Sequence, residues 1–148
     1  MKVLVMGGTR FFGKRLVSLA VRSGWEVTVA TRGRADVDFP ETVQHVRFDR
    51  HDRQSVREAF RGRTFDVVYD QIGYSPDDAR FAWEAFAGNI GHYVFTSSAS
   101  VYEPQMLPIK EGQFNPWKWP VRFGGKNDFT YAEGKRYAEA VLLQQAPF

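Results

Sequence analysis

The chain has 148 residues, of which 43% are hydrophobic and 25% charged, and its formal net charge at pH 7 is +3. This length suits one domain with a single sizeable core, and no apolar run approaches the roughly 20 residues that a membrane-spanning helix needs. The absence of cysteine excludes disulfides, cysteine nucleophiles and cysteine metal sites. No signal peptide precedes the first strand, so we expect a cytoplasmic protein that does not contact a membrane.

Strands and helices alternate along the chain with short connections, a pattern typical of a parallel sheet with crossover helices. We predict strands over residues 3–6, 26–30, 43–48, 65–70 and 92–96. We predict helices over about 11–23, 52–61 and 75–87, and a last helix that starts at Thr130. Residues 103–129, rich in proline and aromatic residues, are predicted to form a long ordered loop, in which Trp117 and Trp119 either pack internally or cover a substrate. The fold class is therefore α/β, a doubly wound parallel sheet with helices on both faces.

The first strand runs directly into a glycine-rich turn between Gly7 and Gly13. Gly7 allows a tight turn, Gly13 allows close packing of the following helix, and the amides that open this helix attract an anion. Arg10 stands midway between them, where a third glycine would be expected. The turn predicts a diphosphate site. The Arg10 side chain would either close over the ligand, which we favour, or partly obstruct it.

The carboxyl ends of parallel strands meet at one edge of the sheet, where such sheets bind ligands. We therefore expect residues from five strand ends to lie together at this edge: Gly7, Thr31, Asp49, Gly73 and the pair Ser97-Ser98. Tyr131 and Lys135 are four residues apart on the last helix, so that both side chains can face one site. A lysine ammonium beside a tyrosine favours the phenolate, which suits the tyrosine to acid/base chemistry.

Taken in their order along the chain, the motifs resemble those of the NAD(P)-dependent epimerase/dehydratase family, within the extended short-chain dehydrogenase/reductase superfamily. The resemblance lies in the glycine turn, Asp49 after the third strand, the serine-rich segment 97–102 after the fifth, and the Tyr131–Lys135 pair. It implies a Rossmann-like fold in which residues 1–148 are the NAD(P)-binding domain of a longer protein. The chain would then stop before the last strands and the C-terminal substrate-binding region. It also implies a homodimer, which extended relatives frequently form.

The resemblance also implies roles for three catalytic residues. Tyr131 would be the general acid/base, Lys135 would bind the nicotinamide ribose and tune Tyr131, and Ser98 would polarise the substrate oxygen, with Ser97 or Ser100 as alternatives. The implied reaction is hydride transfer on a small-molecule substrate such as a nucleotide sugar, or on a similar carbinol or carbonyl compound. Residues 75–91 lack the Asn-x-x-Gly-Thr segment of typical epimerases, which makes an ordinary sugar epimerase less secure.

The predicted cofactor-binding residues are Gly7, Thr9, Arg10, Phe11, Phe12, Gly13, Thr31, Arg32, Asp49, Gly73 and Lys135. In this family Asp49 would meet the adenine end, although an acid after a strand also often caps the next helix. Thr31-Arg32 replaces the acid of NAD-specific members, which favours NADP over NAD. Arg32, Arg34 or Arg10 would pair with the 2′-phosphate, unless these arginines simply face water. We predict no metal site, because no aspartate has a histidine partner at a convincing spacing.

A second interpretation is a dinucleotide-fold protein that binds RNA or senses redox state without catalytic turnover. The Gly-Gly-Thr-Arg-Phe opening resembles a branch of the family that includes chloroplast RNA-binding relatives. Residues 47–63 are rich in arginine and include His51, which is typical of a solvated helix face but also suits RNA. The retained Tyr131, Lys135 and serine cluster favour the enzyme.

Overall fold

The computed structural model describes residues 1–35 and 37–147. Five parallel strands form one sheet in the order β3-β2-β1-β4-β5. The strands are β1 (Lys2–Met6), β2 (Glu26–Thr31), β3 (Gln44–Arg47), β4 (Phe65–Asp70) and β5 (Ile90–Phe95). The helices are α1 (Phe11–Arg22), α2 (Arg53–Phe60), α3 (Pro76–Phe86) and α4 (Tyr131–Gln145). The predicted Rossmann-like α/β fold is confirmed.

Alternate residues of β1 face opposite sides of the sheet, because successive side chains of a strand point to opposite faces. Val3 and Val5 pack with Val17 of α1 in one apolar cluster. Leu4 and Met6 belong to a second cluster, which also contains the fully buried aromatic rings of α2 and α3. Helix α4 packs on α3 through a third cluster that contains Ala79, Ala138 and Val141. Both faces of the sheet are therefore covered by helices.

The strand register brings the carboxyl ends together. Met6, the last residue of β1, pairs with Ala30 of β2 on one side and with Asp70, the last residue of β4, on the other. Asp70 in turn pairs with Phe95, the last residue of β5. The glycine turn and the segments after β2, β4 and β5 consequently emerge at one edge of the sheet.

Three helices begin at side-chain caps. Ser75 and Asp78 form a capping box on α3, and Thr130 forms the predicted capping box on α4. Helix α2 is capped by Asp52, whose carboxylate accepts hydrogen bonds from the backbone N–H groups of residues 54 and 55. Asp49 is therefore not the cap of this helix. Its carboxylate instead accepts the N–H of His51 at 3.0 Å.

The boundaries differ from the predictions mainly at the outer strands. Strand β3 covers only Gln44–Arg47, and β5 begins at Ile90, two residues before the predicted start at His92, whose side chain is exposed. Within residues 103–129, Trp119 packs edge-on against Phe114 at 5.3 Å, whereas Trp117 is exposed. No helix in the described part of the chain has the length and apolar character needed to cross a membrane.

Candidate functional site

A cavity of about 460 Å³, hereafter the cradle, opens at the edge where the strands end. The cradle is lined by most of the residues predicted to bind a cofactor: Gly7, Thr9, Arg10, Phe11, Phe12, Thr31, Arg32 and Asp49. Of the other predicted residues, Gly13 lies behind the turn and Gly73 and Lys135 are buried beside the cradle. The structure thus brings segments from four strand ends to one cavity.

Arg34, the alternative partner of a 2′-phosphate, also lines the cradle, as do residues that the sequence prediction did not select: Ala35, Phe48, Arg50, His51, Gln71, Ile72 and Tyr74. Most of them directly flank a predicted residue in the chain. Arg50 and His51 follow Asp49, and Gln71, Ile72 and Tyr74 surround Gly73. Because a whole connecting segment crosses the edge of the sheet, extending each prediction to its neighbours would have found them.

The glycine turn has the geometry that a close-fitting anion site requires. Gly7 has a φ of +89°, which favours glycine, and a Cβ added to Gly13 would overlap the Gln71 side-chain oxygen. Arg10 is the N-cap residue of α1 but makes no side-chain cap hydrogen bond, and the first turn of the helix contains no acidic residue. The helix start therefore presents uncapped backbone N–H groups, which attract negative charge.

The rim of the cradle adds positive charge to this helix start. Arg10, Arg32 and Arg34 all line the cradle and are exposed. Guanidinium groups bind phosphate oxygens well because their N–H donors form a planar fork. The donor set of the cradle suits an anionic ligand with more than one phosphate.

A buried ion pair lies under the cradle. Arg50 donates to the carboxylate of Asp70, and their side chains are only 3% and 0% exposed. Tyr93 donates to the same carboxylate, which also accepts the N–H of Ile72 at 3.1 Å. Burial acts to lower the pKa of Arg50, but Asp70, Tyr93 and Asp78 together outweigh it and leave that pKa raised. The interpretation of Arg50 as part of a solvated basic face is therefore wrong, because the side chain is buried against Asp70 at the end of β4.

Lys135 connects the ends of β4 and β5. Its ammonium donates to the carbonyl oxygens of Gly73 and Thr96, both at 2.7 Å, and the residue is only 2% exposed. Burial lowers the pKa of Lys135, although the negative charge of Asp70 opposes this effect. An ammonium has three N–H donors, so one remains for a further acceptor.

Tyr131 is the first residue of α4 and is 51% exposed. The Lys135 Nζ lies 6.0 Å from the centre of the Tyr131 ring, so the structure brings these two predicted residues together. The same ammonium lies 5.3 Å from the Tyr74 ring and 4.7 Å from the Phe95 ring. Aromatic faces attract a cation at such distances.

Ser98 lies in a second cavity, of about 850 Å³, together with Ser97 and Glu139. It caps a short 3₁₀ turn at Ala99–Val101 by accepting the N–H of Ser100, and Ser97 donates to Glu139. Within residues 1–35 and 37–147, no hydrogen bond joins Ser98 to Tyr131. The structure therefore groups Tyr131 with Lys135, whereas Ser98 lines the second cavity.

Sequence spacing missed one histidine–carboxylate pair. His51 Nδ1 lies 2.9 Å from Asp78 Oδ1, although the two residues are 27 positions apart. No spacing in the sequence indicated this partner of Asp78. The described residues still include no group of three or more histidines and acids that could hold a metal ion.

Comparisons with known proteins agree with this geometry. The family model described as "NAD dependent epimerase/dehydratase family" matches residues 3–90. The chain is 34% identical over 121 residues to the chloroplast stem-loop binding protein of 41 kDa b from Arabidopsis thaliana. That match covers 72% of this chain and 32% of the relative.

Solved structures show the same fold. The UDP-glucose 4-epimerase of Thermus thermophilus in complex with NAD is 25% identical with a TM-score of 0.67, over 99% of this chain and 52% of that chain. The enzyme WbmG of Bordetella bronchiseptica in complex with NAD and UDP is 16% identical with a TM-score of 0.71, over 96% of this chain and 49% of that chain. The chain thus spans about half the length of these structures and a third of the curated relative.

The Arg50–Asp70 pair generates a stability prediction. Arg50→Met leaves the Asp70 carboxylate buried without its counter-charge, which lowers the free energy of unfolding by about 3–5 kcal/mol. The double variant Arg50→Met/Asp70→Asn removes both charges and is expected to recover most of that loss. Urea unfolding of both variants measures the difference. Arg53→Met is the control, since its exposed pair with Glu84 contributes at most about 1 kcal/mol. A double variant no more stable than Arg50→Met would contradict the assignment.

Proposed function

The chain belongs to the NAD-dependent epimerase/dehydratase family, and on that premise we propose that the cradle binds a nicotinamide dinucleotide for hydride transfer catalysed with Tyr131. One observation carries the proposal. A single cavity joins the uncapped start of α1 to an arginine-rich rim and to Tyr74, whose ring adjoins Tyr131 and Lys135. The cradle would thus hold the phosphates at one end and lead to the proposed acid/base residue at the other.

The residues present fit such a cofactor. The lack of a side chain at Gly13 lets α1 pack close behind the turn, and the α1 amides would hold the diphosphate. Arg32 and Arg34 follow β2 and suit a 2′-phosphate, which supports NADP over NAD. Asp49 would meet the adenine end, and Arg10 would close over the diphosphate.

When bound, the nicotinamide supplies the acceptor or donor of a hydride. The exposed Tyr131 phenol would take the proton of a substrate hydroxyl, or return it to a carbonyl oxygen. Lys135 would use its remaining N–H for a ribose hydroxyl, and its positive charge would lie beside the Tyr131 ring. Ser98 would polarise the substrate oxygen.

The proposed substrate class comes from the solved structures that resemble this chain. Several of them are named as epimerases of UDP-sugars, and one structure contains both NAD and UDP. We therefore propose a nucleotide sugar or a similar carbinol or carbonyl compound. Residues 1–148 would be the dinucleotide-binding part of the protein, and a homodimer remains a proposal. The cytoplasmic location stays a prediction, since the Arabidopsis relative is named as chloroplastic.

Binding of stem-loop RNA is the second candidate function. The observation that favours it is the likeness to a protein named for stem-loop binding. Arg57, Arg61 and Arg63 are exposed on and after α2, whereas Arg53 pairs with Glu84 and Arg50 is buried. Fewer arginines are therefore free for phosphates than the sequence suggests, which makes the enzyme the stronger proposal.

A thermal-shift comparison of NAD, NADH, NADP and NADPH tests the cofactor. A ligand at a hundredfold excess over its Kd stabilises the folded state by about 2.7 kcal/mol. We expect NADP and NADPH to stabilise the chain at lower concentrations than NAD and NADH. The Arg32→Glu variant is expected to lose that preference. Arg22→Glu, an equal charge change on α1 outside the cradle, is the control. If no dinucleotide stabilises the wild-type chain, the proposed function is wrong.

Turnover tests the role of Tyr131 and requires the complete protein, because this chain spans about half the length of its solved relatives. Tyr131→Phe is expected to reduce kcat by about 10²–10⁴-fold, the usual contribution of general acid–base catalysis, and to leave cofactor affinity nearly unchanged. Tyr69→Phe, which packs on the α1 side of the sheet, is the matched control. An active Tyr131→Phe enzyme would contradict the proposed role of Tyr131 but not the proposed cofactor site.

Titration with a labelled RNA hairpin at several salt concentrations tests the second candidate. Binding through phosphate contacts weakens as salt rises, and Arg57→Glu would weaken it further and flatten the salt dependence. Arg22→Glu again serves as the charge-matched control, because it lies on a different helix. The candidate is dropped if the wild-type chain does not bind the hairpin at low salt.

A further inference from the structure

Tyr74 stands where the cradle meets Tyr131. It lines the cradle and is partly exposed. The centre of its ring lies 6.3 Å from the centre of the Tyr131 ring, and the Lys135 Nζ lies 5.3 Å from it. A ligand that filled the cradle and reached Tyr131 would therefore pass Tyr74.

The backbone of Tyr74 is fixed from two sides. Its N–H donates to Asp78 Oδ2 at 2.8 Å, and the Asp78 carboxylate is itself 1% exposed and accepts the N–H of Ser75 at 3.1 Å. On the other side, α4 packs against the Tyr74 carbonyl oxygen so closely that a Cβ on Gly134 would overlap it. The position of the Tyr74 backbone, from which the ring extends, is thus set by the fold.

The surroundings of the ring suit contact with a polar aromatic ligand. Lys126 Nζ lies 5.1 Å from the Tyr74 ring, so two ammonium groups flank it. Burial, and after it the nearby Tyr131, raises the pKa of Tyr74, which keeps its phenol protonated at neutral pH. The Tyr74 hydroxyl can then donate a hydrogen bond while the ring offers an apolar face.

We propose that Tyr74 is a cofactor-contacting residue that binds the nicotinamide–ribose half of the dinucleotide and so positions it beside Tyr131. The inference rests on the proposed function and deepens it. The diphosphate is assigned to the start of α1, and the adenosine half to Thr31, Arg32 and Asp49. Tyr74 is the cradle residue whose ring adjoins both Tyr131 and Lys135, the end where hydride transfer would take place.

Calorimetric titration of this chain with whole and truncated ligands tests the inference. The probes are NADP, NAD and ADP, of which ADP lacks the nicotinamide half. Stacking on one aromatic side chain contributes about 1–3 kcal/mol, so Tyr74→Ala is expected to weaken dinucleotide binding about tenfold or more. ADP affinity should stay within about twofold of wild type, because ADP does not reach Tyr74.

A spectroscopic readout separates contact from simple packing. Bound NADPH is expected to show weaker nicotinamide fluorescence in Tyr74→Ala than in wild type, and Tyr74→Phe should restore most of it by keeping the ring. Tyr102→Ala, in the second cavity, is the matched control and should bind like wild type. Tyr74→Leu replaces the alanine variant if the latter does not fold, since it retains most of the volume.

The outcomes are distinct. A selective loss of dinucleotide affinity, rescued by Tyr74→Phe, supports the inference. An equal loss for ADP and dinucleotides, or no loss in Tyr74→Ala, overturns it while the proposed function stands. If the wild-type chain binds neither NAD nor NADP, the proposed function itself fails.

Discussion

The candidate site depends on how charge is buried at the ends of β4 and β5. Asp70 ends β4 inside the protein, and Arg50 reaches it from the segment after β3. The same carboxylate charge acts on Lys135, which bonds to the carbonyls of Gly73 and Thr96. Uncompensated charges in such a setting are costly, so Arg50 and Asp70 require each other, and the charge of Asp70 also favours the Lys135 ammonium. The strand ends that form the floor of the cradle are consequently joined by electrostatics as well as by the sheet.

This arrangement divides the edge of the sheet into two chemical regions. Near β1 and β2, backbone amides and exposed arginines face the cradle, and they act on ligands through charge and hydrogen-bond donors. Near β4 and β5, aromatic rings surround one ammonium, and Tyr131 is exposed beside them. The segment from Gln71 to Tyr74 connects the two regions, because it starts beside the glycine turn and ends against α4.

The parts of the site that depend on local patterns could be predicted from the sequence. Strand and helix periodicity, the glycine turn and the Tyr131–Lys135 spacing are local features, and their positions in the structure agree with them. Arg50 could not be placed in this way, because an arginine within a basic run is usually solvated and its partner lies 20 residues later on another strand. The His51–Asp78 pair was missed for the same reason. Ser98 caps the turn at Ala99–Val101 and lines the second cavity, which spacing along the chain does not determine.

The two hydrogen bonds that the Lys135 ammonium donates to backbone carbonyl oxygens have a consequence for ligand affinity. A free lysine side chain loses rotational entropy worth up to about 2 kcal/mol when it is immobilised. Here folding has already immobilised it, so a ligand that accepts its remaining N–H meets a preorganised donor and does not bear that entropic cost. Affinity at this end of the site is therefore sensitive to the rigidity of the β4 and β5 ends. Substitutions that loosen them would weaken binding even where they touch no ligand atom.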